Sequence, residues 1–166
     1  MYSKIRLKYY DSLIKNPDIL KNLTWQHAVA LVKWANARNF YTGLATMSHR
    51  EQAHKVLKIL GLNSYFDIVA TVDDVKQGKP NPEIYDLIAK KLHLSSHECV
   101  VIEDSLAGVR AAHAAQMKYL VVPTQFTRES IQNNELVNKK WIINEPKNLH
   151  TTLEKMITEE NRFTIK

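Results

Sequence analysis

The chain holds one cysteine, Cys99, so no disulfide can form within it. Cys99 opens the apolar run Cys99-Val100-Val101-Ile102, which predicts a buried structural thiol inside a strand. No apolar stretch is long enough to cross a membrane as a helix. The start, Met1-Tyr2-Ser3-Lys4-Ile5-Arg6, is not followed by the apolar core of a secretory signal. These absences point to the cytoplasm and away from a membrane. No block of five like charges occurs, because the 23 basic residues are interleaved with 17 acidic ones. Nucleic acid is therefore not an expected partner, although the formal charge of +6 would favour small phosphorylated molecules. The seven histidines lack zinc-ligand spacing. Neither a G-x-S-x-G elbow nor a Walker A loop is present, and there is no internal repeat.

What remains is a chain of 166 residues, 45% hydrophobic, which suits one globular domain with a real core. Tyr2, Ile5, Tyr9 and Leu13 give residues 1–15 a helical spacing that Asn16-Pro17 ends. Trp25, Ala28, Val29, Val32 and Ala35 mark one face of a second helix running to about Arg38. Strand and helix signals then alternate. Strands are predicted at Tyr41–Thr46, Phe66–Val72, Cys99–Ile102, Tyr119–Val122 and Trp141–Ile143. Helices are predicted at Glu51–Leu60, Pro82–Leu92, Leu106–Ala115 and about Pro146–Ile157, the first of them stopped by Gly61. This alternation implies an α/β fold, a parallel sheet covered on both faces.

In such sheets ligands gather outside the carboxyl ends of the strands. Three of those ends carry phosphate-type chemistry here. Thr46-Met47-Ser48 places a hydroxyl and free N–H groups at a helix start, which suits a phosphate dianion. Ser48 and Glu51 also read as a capping box, S-x-x-E, which leaves Thr46 as the better ligand. Gly78-Lys79-Pro80-Asn81-Pro82 is a stiff loop in which Asn81 can cap the next helix, and its rigid neighbours aim Lys79. Alone, such a lysine reads as solvated; beside the other elements it reads as a phosphate ligand. Glu103-Asp104 directly follows four apolar residues. One acid would satisfy the next helix's dipole, whereas two at a buried strand end argue for Mg²⁺. Asp73-Asp74 also follow a strand, but a charged turn accounts for them.

Leu44-Ala45-Thr46-Met47-Ser48, Gly78 through Tyr85 and Val101 through Ala112, in that order, resemble the haloacid dehalogenase superfamily. The resemblance is to its β-phosphoglucomutase-like and sugar-phosphate phosphatase branch. It implies a Rossmann-like core in which Thr46 and the Met47 amide bind the transferring phosphoryl group. Lys79 would neutralise phosphoryl oxygens and orient the nucleophile. Asp104 would ligate Mg²⁺, with Glu103 beside it, direct or through water. Metal and lysine together would offset charge in the transition state.

Two parts of the family pattern are missing. No D-x-D-G-(T/V) nucleophile loop precedes Thr46, since Asp11 and Asp18 sit in helix-like or proline-turn contexts. Residues 1–23 resemble only the last helix and linker of the family's cap, leaving 24–166 as a partial core that lacks its first, central strand. Gln116 stands where the family usually has a glycine. The chain is thus expected to be truncated, or one part of a split protein. Its expected function is a phosphohydrolase or phosphomutase core for small phosphorylated metabolites such as sugar phosphates, inactive until a missing N-terminal segment or partner chain supplies the aspartate. A non-catalytic phosphate- or partner-binding module and a functionless remnant are the other readings.

Overall fold

The computed structural model describes residues 15–160 and Lys166; the helical spacing read over residues 1–15 falls, Lys15 apart, outside them. Pro17 starts a short helix, α1 (Pro17–Asn22), at the first-turn position where a missing N–H costs nothing. Helix α2 (Gln26–Ala37) follows. Four short strands then alternate with helices: β1 (Gly43–Ala45), α3 (Arg50–Leu60), β2 (Ile68–Ala70), α4 (Glu83–Leu92), β3 (Val100–Glu103), α5 (Leu106–Ala114) and β4 (Lys118–Val121). Helices α6 (Arg128–Gln132) and α7 (Leu149–Glu160) complete the order. Among the described residues no helix is long and apolar enough to cross a membrane.

All pairing is parallel, as the alternation predicts. Among the described residues it forms two separate two-stranded sheets, β1 with β2 and β3 with β4. Leu44 lies opposite Val69 in the first, and Ile102 opposite Leu120 in the second. The strand predicted at Trp141–Ile143 is instead a 3₁₀ turn over 139–141 followed by one parallel bridge from Ile142 to Val121. Its three residues follow a turn too closely to extend a ladder. The predicted strands at 41–46 and 66–72 shorten to three residues each, because Thr42 and Thr71 turn away to bind Asp67 and Asp74.

Strand β4 shows why its residues are apolar without alternation. Tyr119 and Val121 join one core cluster with Ile84, Val109 and Ile131. Leu120 and Val122 join another with Leu31, Leu149, Leu153 and Met156. Helices α4 and α5 thus cover one face and α2 and α7 the other, a three-layer arrangement. In α2 the buried residue is Leu31, while Trp25, read from periodicity as part of one apolar face, stays exposed at the helix start. Cys99 precedes β3 and is half-buried; desolvation pushes its thiol up to about 11, so it stays protonated and inert.

Charged turns hold the sheet edges in place. The expected Ser48–Glu51 capping box does not form. Helix α3 starts at Arg50, whose N–H donates to Asp73 Oδ2 at 2.8 Å, and His49 Nδ1 lies 2.7 Å from Asp73 Oδ1. Glu51 turns outward to Lys55, one turn along. The turn acids are therefore caps, Asp73 for α3 and Asp74 for its own 3₁₀ turn, where it accepts from the Thr71 N–H and hydroxyl. Hydrogen bonds from Thr71 hold the Asp74 carboxyl below its usual range. Burial raises that of Asp67, but the Lys166 ammonium and Thr42 outweigh it and bring the carboxyl below its usual range too.

A carboxylate with a lowered folded value contributes stability above its unfolded value, near pH 4, and loses it as pH falls through the folded one. Denaturation midpoints measured from pH 7 down to pH 2 should fall on that acid limb, and Asp67→Asn or Asp74→Asn should each flatten it. Gln116 sits at φ +57°, the left-handed region, as it closes the turn after α5. Gln116→Gly removes that strain and should raise the unfolding free energy by roughly 1 kcal/mol in chemical denaturation.

Candidate active site

The backbone at three strand and helix ends fixes where the candidate side chains stand. Thr46 continues β1 by donating its N–H to Ala70 O at 2.9 Å, and its hydroxyl oxygen accepts from the Ser48 N–H at 3.1 Å. The 78–82 loop runs beside it. A Cβ on Gly78 would meet Met47 Sδ at 2.9 Å, so glycine lets the two loops approach. Downstream, Asn81 Oδ1 accepts from the Glu83 N–H at 3.0 Å, the capping role read from the sequence. Glu83 in turn accepts from the N–H groups of Lys76 and Gln77 at 3.0 and 2.9 Å. Lys79 thus projects from a loop tied on both sides.

Its ammonium reaches across the fold. It donates to Ala45 O, at the end of β1, at 3.1 Å, and to Glu103 Oε1, at the end of β3. Both side chains are almost sealed from water, 11% and 7% exposed, so the pair is little screened. Glu103 is further held by Tyr85, whose hydroxyl donates to Oε1 at 2.5 Å. Its Oε2 accepts from the Ser105 hydroxyl at 3.1 Å and the Asp104 N–H at 3.2 Å. Burial raises the Glu103 carboxyl, yet the Lys79 charge and hydrogen bonds from Lys79, Tyr85 and Ser105 bring it below the usual range. Ser105 also caps α5 by accepting the Gly108 N–H at 3.1 Å.

Asp104 is treated oppositely. It is exposed, and its carboxylate has no hydrogen-bond or ion-pair partner on another residue among the described residues. Burial of part of the group, then the Glu103 charge next to it, pushes its carboxyl above the usual range. All five residues singled out in the sequence, Thr46, Met47, Lys79, Glu103 and Asp104, line one cleft of about 410 Å³. Its apolar walls are Trp25, Ala28, Ala45, Ile102, Val122 and Leu149.

The donor set fits a hard divalent cation of the Mg²⁺ kind. Such an ion takes one or two carboxylates and keeps waters or substrate oxygens. Asp104 offers a free carboxylate at which a cation would relieve the repulsion from Glu103. Glu103 has little left to offer, because each of its oxygens already accepts two hydrogen bonds. No cluster of three acidic, histidine or cysteine ligands exists among the described residues. The sequence reading assigned no role to Tyr85, Ser105 or Gly108, the groups that immobilise Glu103. Tyr85 enters the sequence argument only as the end of the Gly78–Tyr85 motif, and its phenolic oxygen is the one feature that could have marked it as a partner of the acid.

The chain is similar to proteins of known type. Phosphorylated carbohydrates phosphatase of Thermotoga maritima is 38% identical over 84 residues, 51% of this chain and 39% of that protein. Hexitol phosphatase B of Escherichia coli is 37% identical over 98 residues, 59% of this chain and 43% of that protein. The crystal structure of CbbY from Rhodobacter sphaeroides in complex with phosphate has a TM-score of 0.67 at 26% identity, covering 76% of this chain and 56% of that one. The chain spans about two fifths of the length of these curated relatives. The family model of the haloacid dehalogenase-like hydrolases matches residues 10–116, well over half of the chain, and the chain belongs to that family.

Proposed function

We propose that the chain is the phosphate- and metal-binding part of a phosphohydrolase or phosphomutase for small phosphorylated metabolites, sugar phosphates foremost. One observation carries the reading: Thr46, Lys79 and Asp104, from three separate loops, line a single cleft at the strand ends. The Thr46 hydroxyl and the Met47 amide would donate to phosphoryl oxygens. Lys79 would balance their charge, as fixed dipoles and cations do in phosphoryl transfer. Asp104 would hold Mg²⁺, which when bound would draw negative charge from the transferring group. Glu103 keeps the lysine in place. The names of the relatives, phosphatases of phosphorylated carbohydrates and hexitols, support the substrate class.

The nucleophile is proposed to come from outside the described residues. Besides Glu103 and Asp104, no carboxylate among the described residues lines the cleft. Strand β1 pairs only with β2, and β3 only with β4, so each keeps an open edge among the described residues. Ala45 and Ile102, on those two edges, both face the cleft. One parallel strand between them would join the two sheets and bring a carboxylate level with Lys79. That strand would belong to a segment upstream or to a partner chain, with residues 1–23 the remnant of a cap and 24–166 the partial core. A cytoplasmic location suits metabolites of this kind.

The test is Mg²⁺-dependent phosphate release from an aryl phosphate and a panel of hexose phosphates, by the chain alone and with the missing segment supplied. Release is expected only from the completed protein and should cease with a chelator. Lys79→Met and Asp104→Asn should each lower it by about 100-fold or more. Turnover by the chain alone would overturn the need for a second segment. Stabilisation by phosphate without turnover in either format would favour a binding module.

A further inference from the structure

We propose that Tyr85 is a positioning residue for Lys79, acting through Glu103, and not merely part of the core. The proposal rests on the reading of Lys79 as a phosphate ligand. Lys79 has three N–H donors, and two are used, on Ala45 O and Glu103 Oε1. The third has no acceptor among the described residues and is available to a ligand in the cleft. Where it points depends on where Glu103 holds the ammonium.

Glu103 is held from every side. Tyr85 donates to the same oxygen that Lys79 uses, and Ser105 with the Asp104 N–H fixes the other. Behind it, a Cβ on Gly108 would fall 1.9 Å from Glu103 Cδ, so the carboxylate is pressed against the first turn of α5. Tyr85 is itself 6% exposed, and its ring lies 4.8 Å from Lys79 Nζ. One side chain therefore holds the lysine twice, by its ring directly and by its hydroxyl through Glu103. Burial and the Glu103 charge keep that phenol protonated, so it remains the donor. Removing the hydroxyl leaves Lys79 alone on Oε1, and the carboxylate can turn and carry the ammonium with it.

Tyr85→Phe separates the two roles, since it keeps the ring and its packing. The readout is ¹H–¹⁵N spectroscopy of the Lys79 ammonium in the whole chain, assigned by its loss in Lys79→Met. Proton exchange of that ammonium with water should speed up by roughly tenfold in Tyr85→Phe, with the backbone amide map otherwise preserved. p-Aminophenylalanine at position 85, which restores an N–H donor, should slow exchange again. Orthophosphate affinity, followed by thermal shift, should weaken by roughly fivefold in Tyr85→Phe. An unchanged ammonium signal in a folded Tyr85→Phe overturns the proposal. Should that variant not fold, the wild-type Tyr85 hydroxyl proton is compared with that in Lys79→Met. It must shift, because both groups share Oε1, and a fixed resonance overturns the proposal equally. If wild type ignores orthophosphate while its ammonium responds as expected, positioning stands and the phosphate-site reading fails.

Discussion

The ion pair between Lys79 and Glu103 ties together two sheets that share no strand pairing. Lys79 donates at the end of β1 and pairs at the end of β3, so one ammonium spans the opening between them. Burying two charges is costly, and their attraction repays it only where the remaining hydrogen-bonding capacity is satisfied. Here the acid receives four hydrogen bonds, three of them from groups other than Lys79. Net stability is a poor guide to why such a pair is present. Its geometric effect is plain: loss of either partner strands the other charge at a cost of about 3–5 kcal/mol. The pair fixes the spacing of Thr46 and Asp104, which sit one residue beyond the two strand ends.

The layers around the opening differ in how well they are filled. Ile102 and Leu120 are register partners on one face of β3 and β4. Leu120 is fully buried under α2 and α7, whereas Ile102 is 37% exposed and forms a cleft wall. The helices therefore cover β4 closely and leave the neighbouring strand face bare. Open edges of this kind invite pairing with another strand. Apolar walls below and charge at the mouth suit the strand proposed above, an apolar segment whose acidic end would meet Lys79.

The alternation of helix and strand was legible because each of its signals is local. Local helix signals found α3, α4 and α5, and Asn81 and Gly61 act as the cap and stop that their types predict. Strand lengths were not legible, since Thr42 and Thr71 are ordinary strand formers until Asp67 and Asp74 turn them aside. The false capping box at Ser48 failed for a related reason. Asp73, more than twenty residues away, satisfies that helix start more closely than the local serine. The site residues converge on one cleft because strand ends in a parallel sheet share one side. Their division of labour was illegible, because it depends on Tyr85, Ser105 and Gly108 packing against one carboxylate.

That division resolves why two adjacent acids stand at one strand end. Alternation along β3 sends Glu103 inward, toward α4 and α5, and Asp104 outward into the cleft. The inner acid is charged because a cation and three other donors meet it, and its pairing holds its carboxyl low. The outer acid makes no hydrogen bond to another of the described residues; partial burial, and then the like charge of the inner acid, raise its carboxyl against a weaker pull from Lys79. Neutralising Glu103 would therefore ease the ionisation of Asp104 but release Lys79 from its post. A cation at the outer acid would offset that repulsion. The pair is balanced on the inside by the protein, and the remaining negative charge faces the cleft where the proposed cation and phosphate would sit.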